Sequence, residues 1–180
     1  TMRVALLGAG HIGQTIARLL QRSGDFQVTV FDRSAHALSR LSDPGSLAGA
    51  PATHEIDTGD AAALRQALRG HDAVLNALPY QLAMLAAEAA RDARCHYFDL
   101  TEDVAATRAI KQLADGAGTA FMPQCGLAPG FIGIVAHHLA QSFEALHDVK
   151  MRVGALPAFP TNSLKYNLTW SVDGLINEYC

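Results

Sequence analysis

The first residues whose types and spacing suggest a chemical function form a glycine turn, Gly8-Ala9-Gly10-His11-Ile12-Gly13. The turn follows the apolar run 3–7 and precedes apolar residues at helical spacing, so a strand is expected to lead through it into a helix. In the spacing G-x-G-x-x-G, the first glycine allows a tight turn, the second lets a pyrophosphate approach the backbone, and the third lets helix and strand pack closely. Open N–H groups at such a helix start bind phosphate oxygens. The whole turn is therefore predicted to bind a dinucleotide.

A carboxylate follows at the position where such a site needs one. The second apolar run, 27–31, ends in Asp32, about 20 residues beyond the turn, which is the spacing expected for the carboxylate that binds the adenosine ribose hydroxyls. The alternative is a solvated aspartate after a buried strand. Asp32 would repel a 2′-phosphate and so favours NAD. Arg33 and Ser34 could hold that phosphate if Asp32 turned away, so the sequence predicts NAD and leaves NADP open.

Polar residues also follow later predicted strands. Ligands of an open parallel sheet lie beyond the carboxyl ends of its strands. Asp57, after the third predicted strand, is expected either to line the adenine side of the cofactor or to cap the next turn. Asp99 and Thr101, after the fifth predicted strand, are expected to face nicotinamide and substrate, where a carboxylate could hold an ammonium group or help to remove its proton. Alternatively, these two residues cap the helix that starts near Val104.

These positions depend on an alternation of strands and helices along the chain. Strands are expected at 3–7, 27–31, 53–56, 72–76, 95–98 and 119–122, and helical patterns near 12–20, 34–41, 61–69, 81–93, 104–116 and 131–139. Asp60 is the expected cap of the third helix. Short apolar strands separated by helices indicate right-handed crossovers and a parallel sheet. The predicted fold class is therefore α/β, with a Rossmann-type doubly wound sheet.

The character of the sequence changes after this alternation. The loop 123–130 contains two prolines and two glycines, so it continues neither a helix nor a strand. Residues 148–153 alternate charged and apolar side chains, which predicts a half-buried antiparallel strand. A further strand is expected at 168–171 and a short helix at 172–178. The sequence thus predicts a dinucleotide-binding domain at 1–124 and, at 125–180, a loop, a helix and the start of a second, α+β domain for substrate binding and dimerisation.

Composition restricts the partners of the chain. The net charge of −3 and the lack of a run of like charges give no indication of a nucleic-acid or membrane surface. The longest apolar stretches are shorter than the ~20 residues that span a bilayer. Three dispersed cysteines are too few for a disulfide framework or a zinc site, so no metal is predicted and a reducing, cytoplasmic location is expected. Small molecules are the expected partners.

Several segments together resemble the saccharopine dehydrogenase-like family, most closely its lysine 6-dehydrogenase branch. The resemblance covers the whole chain in order and is most specific in the loop Cys125–Gly130 and in the segment after Val153. Ala155 and Ser163 depart from the family pattern, which affects the substrate rather than the cofactor. The matching segments are 8–13, 76–79, 97–101, 125–130, 153–157, 164–166, 170–171 and 178–179.

The resemblance implies an NAD(P)-dependent oxidoreductase that acts at a C–N bond of an amino acid. Hydride transfer would oxidise a lysine-like or saccharopine-like amine to an imine, or reduce the imine. Family members are longer than this chain, so the chain is expected to stop inside the substrate domain, where another copy could cover the sheet edge in a homodimer. The alternative is an NAD(P)-binding sensor or scaffold without catalysis.

The resemblance also assigns roles to residues. It places Asn76, Ala77, Leu78 and Pro79 beside the ribose and nicotinamide of the cofactor, and Asp99, Lys165 and Tyr166 at the reaction centre, with Lys165 as a conceivable base. Cys125 could be a reactive thiol, but hydride transfer needs no nucleophile, so a packed residue lining the site is the favoured interpretation. The implied substrate-binding residues are Thr101, Glu102, Cys125, Gly126, Pro129 and Gly130.

Overall fold

The computed structural model describes residues 1–41, 49–154 and 157–163, together with Lys165, Val172 and Ile176. The strands are β1 (Met2–Leu7), β2 (Phe26–Asp32), β3 (Ala52–Glu55), β4 (Ala73–Asn76), β5 (His96–Asp99) and β6 (Phe121–Met122). The helices are α1 (His11–Ser23), α2 (Ala35–Ser39), α3 (Ala61–Leu68), α4 (Ala83–Ala93), α5 (Val104–Leu113) and α6 (Phe131–Ala140). A 3-10 turn at Tyr80–Leu82 leads directly into α4.

The strands form one parallel sheet in the order β3-β2-β1-β4-β5-β6. The order reverses at β1, because β2 and β3 lie on one side of it and β4, β5 and β6 on the other. All carboxyl ends lie at the same edge, where Leu7 is in register with both Phe31 and Asn76, and Asn76 with Asp99. This arrangement confirms the predicted Rossmann-type sheet and places the predicted ligand edge beyond β1 and β4.

Helices cover both faces of the sheet, and alternate residues of β1 enter different cores. Leu6 packs with Val30 and Ala17 on the face covered by α1 and α2. Leu7 packs on the opposite face, in a cluster that includes Leu64 of α3 and several buried residues of α4 and α5. A strand buried on both faces has a continuous apolar sequence, which is the pattern of residues 4–7.

Side chains cap three of the helices at their N-termini. The Asp60 carboxylate accepts hydrogen bonds from Ala62 and Ala63 N–H at 2.8 and 3.3 Å, which confirms the predicted cap of α3. The Asp103 carboxylate caps α5. The alternative in which Asp99 and Thr101 cap this helix is therefore wrong. The hydrogen bonds of Asp99 are made elsewhere, and Thr101 Oγ1 accepts from Asp103 N–H, ahead of the helix. Ser34 caps α2.

The predicted element boundaries differ from the observed ones mainly at edges. The helix predicted at 34–41 is only the short α2, and the strand predicted at 119–122 is reduced to the two residues of β6. In the described part of the chain, β6 forms a sheet edge and pairs with β5 alone, at Tyr97↔Phe121 and Phe98↔Met122. An edge strand has one neighbour to hold it, so its ends are the least defined by sequence.

The strand predicted at 148–153 is wrong. These residues have no regular secondary structure in the described chain and are exposed throughout. Within residues 1–41, 49–154 and 157–163 no strand pairs with them, and an isolated strand leaves its backbone groups without partners. Alternation of charged and apolar side chains is therefore not sufficient to form a strand, because a strand also needs a neighbouring strand to pair with.

The remaining predicted elements, the strand at 168–171 and the helix at 172–178, lie outside the described residues apart from Val172 and Ile176. The division of the chain near residue 124 stays a prediction. None of the helices in the described part has the length and apolar character that membrane crossing requires.

Candidate functional site

The glycine turn joins β1 to α1 in close contact with its neighbours. Gly8 has a φ of 99°, and its N–H donates to the Phe31 carbonyl oxygen at 2.8 Å. A side chain at Gly8 would place its Cβ 2.9 Å from the Ala77 carbonyl oxygen, and a side chain at Gly13 would collide with the Gly8 carbonyl group. The absence of both side chains lets the turn, α1 and the segment after β4 pack together, as the first and third motif glycines require.

Gly10 faces open space. It is exposed, and among the described residues no heavy atom outside its own chain neighbours and helix backbone lies within 4 Å of the position that its Cβ would occupy. As the N-cap of α1 it offers no side-chain acceptor, and the first turn of α1 contains no acidic residue. The N–H groups of that turn therefore face a region that favours negatively charged oxygens. The open position of Gly10 and the uncapped start of α1 fit the diphosphate of NAD(P), with His11 and Ile12 exposed beside them.

The Asp32 carboxylate is turned toward the glycine turn. Its Oδ2 accepts a hydrogen bond from Ala9 N–H at 2.6 Å, and its Oδ1 accepts one from Ser34 N–H at 2.8 Å. Each oxygen retains a further acceptor position, so the carboxylate can hold the turn against β2 and still accept a ribose hydroxyl. The neighbouring Arg33 is exposed, so a cation is also available beside the carboxylate.

Asp57 forms a local turn after β3. It is exposed, and its Oδ1 accepts a hydrogen bond from Gly59 N–H at 2.9 Å. This contact matches the alternative in which the carboxylate stabilises the turn before α3. A contact between Asp57 and the adenine side of the cofactor stays a prediction.

The segment after β4 passes beside the glycine turn and forms one wall of the ligand edge. Ala77 N–H donates to the Leu7 carbonyl at 2.8 Å, which extends the pairing of β4 with β1. Asn76 is 3% exposed, and its Oδ1 accepts a hydrogen bond from Leu78 N–H at 3.1 Å. The side chain of Asn76 therefore shapes the backbone that leads to Pro79. Contact of these residues with the cofactor stays a prediction.

Asp99 lies at the end of β5 and is 1% exposed. Its Oδ2 accepts a hydrogen bond from the Tyr97 hydroxyl at 2.9 Å, and its Oδ1 accepts from Thr101 N–H and Gln124 N–H, both at 3.0 Å. Burial raises the pKa of Asp99, although these hydrogen bonds oppose the rise. Burial also raises the pKa of Tyr97, and the charge of Asp99 adds to that rise. The carboxylate is thus held inside the protein, and its contact with substrate stays a prediction.

The loop from Cys125 to Gly130 connects this buried carboxylate to α6. Cys125 N–H donates to the Asp99 main-chain carbonyl at 2.8 Å. Gly126 and Gly130 form a backbone bridge that closes the loop, and the Ala128–Pro129 peptide bond is cis. Burial raises the pKa of the Cys125 thiol, and the charge of Asp99 adds to that effect. A thiol with a raised pKa is a poor nucleophile at neutral pH, which favours the interpretation of Cys125 as a packed residue.

The other residues with predicted substrate roles differ in burial and in position along the chain. Thr101 is buried, with its Oγ1 accepting a hydrogen bond from Asp103 N–H at 3.2 Å, and Glu102 is half-buried beside it. Lys165 is exposed, and its N–H donates to the Asn162 carbonyl at 3.0 Å. Tyr166 lies outside the described residues. The structure therefore brings Thr101 and Glu102 to the ligand edge, and the roles of Lys165 and Tyr166 stay predictions.

Sequence reasoning missed Tyr97 and Gln124 as members of the site. Tyr97 is fully buried, and its hydroxyl also accepts a hydrogen bond from Asn76 Nδ2 at 3.2 Å. A signal for Tyr97 was present, because residues two apart on a strand share a face and Asp99 is two residues further on. Gln124 gave no such signal, since its backbone N–H and not its side chain contacts the carboxylate.

The sheet order, the glycine turn at the central strand and the open N-terminus of α1 define a dinucleotide-binding Rossmann protein. The chain belongs to a particular family within that class: residues 4–122 match the saccharopine dehydrogenase NADP-binding domain. This match confirms the family predicted from the sequence.

Relatives of known identity extend the similarity beyond residue 122. The chain is 28% identical to a saccharopine dehydrogenase (NADP⁺, L-glutamate-forming) of Pyricularia oryzae, over 98% of this chain and 40% of the relative. The apo structure of the L-Glu-forming saccharopine dehydrogenase of Saccharomyces cerevisiae has a similar fold, with a TM-score of 0.74 at 24% identity, over 98% of this chain and 40% of that one. The chain therefore spans less than half the length of both.

A more distant enzyme shares only the fold. Biliverdin reductase of Synechocystis superposes with a TM-score of 0.54 at 21% identity, over 68% of this chain and 37% of that one. The Rossmann sheet is thus shared with enzymes of unrelated substrates, so the substrate has to be argued from the site.

Proposed function

We propose that this chain is the cofactor-binding part of an NAD(P)-dependent oxidoreductase that acts at the C–N bond of an amino acid. The cofactor supplies hydride transfer at its nicotinamide ring when it is bound. The residues of this chain bind its diphosphate at the glycine turn and its ribose at Asp32, and they form the walls on either side of the nicotinamide position.

The observation that carries the proposal is the environment of Gly10. Neighbouring backbone excludes side chains at Gly8 and Gly13, whereas a side chain at Gly10 would meet no atom of the described residues beyond its own chain neighbours and helix backbone within 4 Å of its Cβ position. Packing within the described residues therefore does not explain a glycine at position 10, but close approach of a ligand to the backbone does. The family match supplies the identity of that ligand class.

The choice between NAD and NADP belongs to this proposal. The carboxylate of Asp32 predicts NAD, whereas the description of the matching family and the name of the Pyricularia relative both specify NADP. The exposed Arg33 and the hydrogen bonds that turn Asp32 toward Ala9 and Ser34 are compatible with a 2′-phosphate. We therefore retain both cofactors, and direct titration separates them.

The substrate is proposed from the relatives. Both saccharopine dehydrogenases named above are glutamate-forming, so a saccharopine-like secondary amine is the first candidate and a lysine-like primary amine the second. The lysine 6-dehydrogenase assignment, homodimer formation and a cytoplasmic location are retained as proposals. Lys165 and Tyr166 are the proposed contacts from the second region of the chain.

Binding and turnover are tested separately. We expect this chain to bind NADPH or NADH with a Kd in the range of about 1 μM to 1 mM, measured by calorimetry. Turnover is measured with the longest natural chain that contains this sequence, as the change in nicotinamide absorbance with saccharopine, lysine and polyamines. Failure to bind either dinucleotide would refute the proposal. Binding without turnover on any of these amines would favour a sensor or scaffold.

A further inference from the structure

Two loops flank the ligand edge beyond β4 and β6, and buried side chains connect them. The first loop is 76–79, which starts at the last residue of β4, and the second is 123–130, which joins β6 to α6. The connection runs through Asn76, Tyr97 and Asp99, which are 3%, 0% and 1% exposed. Because these side chains are closed off from solvent, their hydrogen bonds restrict the relative positions of the two loops.

The buried side chains form a continuous series of hydrogen bonds between the two loops. Leu78 N–H donates to Asn76 Oδ1 at 3.1 Å, and Asn76 Nδ2 donates to the Tyr97 hydroxyl at 3.2 Å. That hydroxyl donates to Asp99 Oδ2 at 2.9 Å, and Asp99 Oδ1 accepts from Gln124 N–H at 3.0 Å. A chain of direct hydrogen bonds therefore leads from the backbone of the first loop to the backbone of the second.

Asp99 is the member on which the second loop depends most. Its side chain holds Gln124 N–H, and its main-chain carbonyl holds Cys125 N–H at 2.8 Å. Gln124 has a φ of 64°, a left-handed conformation that is unfavourable for a residue with a side chain. A backbone held in such a conformation needs contacts that fix it, and Asp99 supplies two of them on consecutive residues.

We propose that Asp99 is a positioning residue, which fixes the 123–130 loop directly and the 76–79 loop through Tyr97 and Asn76. This inference deepens the proposed function and replaces the predicted catalytic role of Asp99. The side chain acts by accepting hydrogen bonds rather than by exchanging a proton with substrate. Asp99 influences the reaction through the distance that it maintains between the two loops.

The substitution Asp99→Asn separates a positioning role from a proton-transfer role. The new amide oxygen can accept from Thr101 N–H and Gln124 N–H, and the new amide nitrogen can donate to the Tyr97 hydroxyl. That hydroxyl then donates to the Ala83 carbonyl, which already lies at 3.2 Å. Asp99→Asn therefore preserves the connection without a titratable carboxyl, whereas Asp99→Ala removes it.

Cys125 is a reporter of the loop that needs no substrate. It is partly exposed and is held directly by Asp99, whereas Cys95 is fully buried and provides an internal control. The rate of Cys125 alkylation is measured at one pH by peptide mass spectrometry, in a Cys180→Ser background because Cys180 lies outside the described residues. Asp60→Ala, which removes the cap of the distant helix α3, is the matched control for lost stability.

We expect Asp99→Ala to accelerate Cys125 alkylation by about tenfold, because the loop opens locally, with Cys95 remaining protected. Asp99→Asn and Asp60→Ala are expected to stay within about threefold of the parent protein. The inference is overturned if Asp99→Ala leaves the rate unchanged, if Asp99→Asn is as fast as Asp99→Ala, or if Asp60→Ala is equally fast.

A second variant covers the case in which Asp99→Ala does not fold. Tyr97→Phe keeps the buried ring and removes the hydroxyl that joins Asn76 to Asp99. We expect weaker NADPH binding, measured by nicotinamide fluorescence, because the 76–79 loop loses its connection to Asp99. Cys125 alkylation is expected to be faster than in the parent protein but to increase less than about tenfold, because Asp99 keeps its contacts with Gln124 and Cys125 and loses only one hydrogen bond that orients its carboxylate. An unchanged NADPH affinity together with an unchanged alkylation rate would also overturn the inference. If the parent protein binds no dinucleotide, the proposed function fails, while the alkylation rates still decide the role of Asp99.

Discussion

At the scale of single residues, the three motif glycines differ in what a methyl group would meet. At Gly13 it would collide with the backbone of Gly8, whereas at Gly10 it would meet open space. Gly10 also has a φ of −66° and a ψ of −175°, a conformation that alanine adopts without strain. Substitution by alanine therefore tests packing at Gly13 and ligand approach at Gly10.

We predict that Gly10→Ala changes the free energy of unfolding by less than about 1 kcal/mol, as expected for an N-cap exchange. Affinity for NAD(P)H should fall at least about tenfold, because the methyl group occupies the path of the diphosphate. Gly13→Ala should instead destabilise the protein by about 1–3 kcal/mol through overpacking. Urea unfolding and calorimetric titration measure the two effects. Full affinity in Gly10→Ala would place the diphosphate elsewhere.

The sequence predicted the residues of the cofactor half of the site more completely than those of the buried network. The glycine turn and Asp32 have fixed spacing within one βαβ unit, so local sequence is sufficient to identify them. Two partners of Asp99, Tyr97 and Thr101, lie within two residues of it, whereas the third is the backbone N–H of Gln124, 25 residues further along the chain. The contact with Gln124 depends on the tertiary fold and cannot be predicted from spacing along the chain.

At the scale of elements, the start of α3 is determined by a single carboxylate. Asp60 Oδ1 accepts the N–H groups of Ala62 and Ala63, which would otherwise lack helical partners. An N-cap of this kind can be predicted from the local sequence, and the predicted cap at Asp60 is confirmed.

We predict that Asp60→Ala lowers the free energy of unfolding by about 1 kcal/mol, whereas Asp60→Ser retains most of it because serine is also a good N-cap. The measurement is urea unfolding followed by circular dichroism. Asp92→Ala, which removes an exposed ion pair with Arg65, is the control and should cost less than about 1 kcal/mol. Equal stability of Asp60→Ala and the parent protein would contradict the assigned cap.

The elements that the sequence misjudged depend on neighbours rather than on local pattern. Residues 148–153 have the alternation of a strand and yet form none in the described chain, where no strand lies beside them. By contrast, β1 and β4 are enclosed by other strands and were predicted within one residue at each end. A strand that is enclosed by neighbouring strands can therefore be predicted from its sequence pattern. The same pattern is ambiguous where no neighbouring strand buries the residues.

At the scale of the whole molecule, an ion pair links the two halves of the sheet at the edge opposite the candidate site. Arg3, on β1, and Asp72, just before β4, are joined by two hydrogen bonds from the guanidinium at 2.8 and 3.2 Å, and Asp72 Oδ2 also accepts from Arg3 N–H at 2.7 Å. Hydrogen bonds from the Arg3 guanidinium, and next from the Arg3 backbone N–H, lower the pKa of Asp72 from 3.8 to about 2.

This shift gives a pH dependence with a defined sign. Because the pKa of Asp72 is lower in the folded than in the unfolded state, its contribution to stability is present above about pH 4 and is lost as the pH falls toward about 2. We predict that the difference in stability between the parent protein and Asp72→Asn is constant from pH 7 to 5 and decreases between pH 4 and 2. Urea midpoints at several pH values measure it. A difference that stays constant down to pH 3 would contradict the assignment.

The central position of β1 has a consequence for synthesis on the ribosome. β1 is synthesised before one of its two neighbours in the sheet, β4, which begins only at Ala73. A nascent chain that has reached β3 can pair β1, β2 and β3 but leaves the other edge of β1 uncovered. Until β4 emerges, that uncovered edge is open to pairing with a strand of another chain.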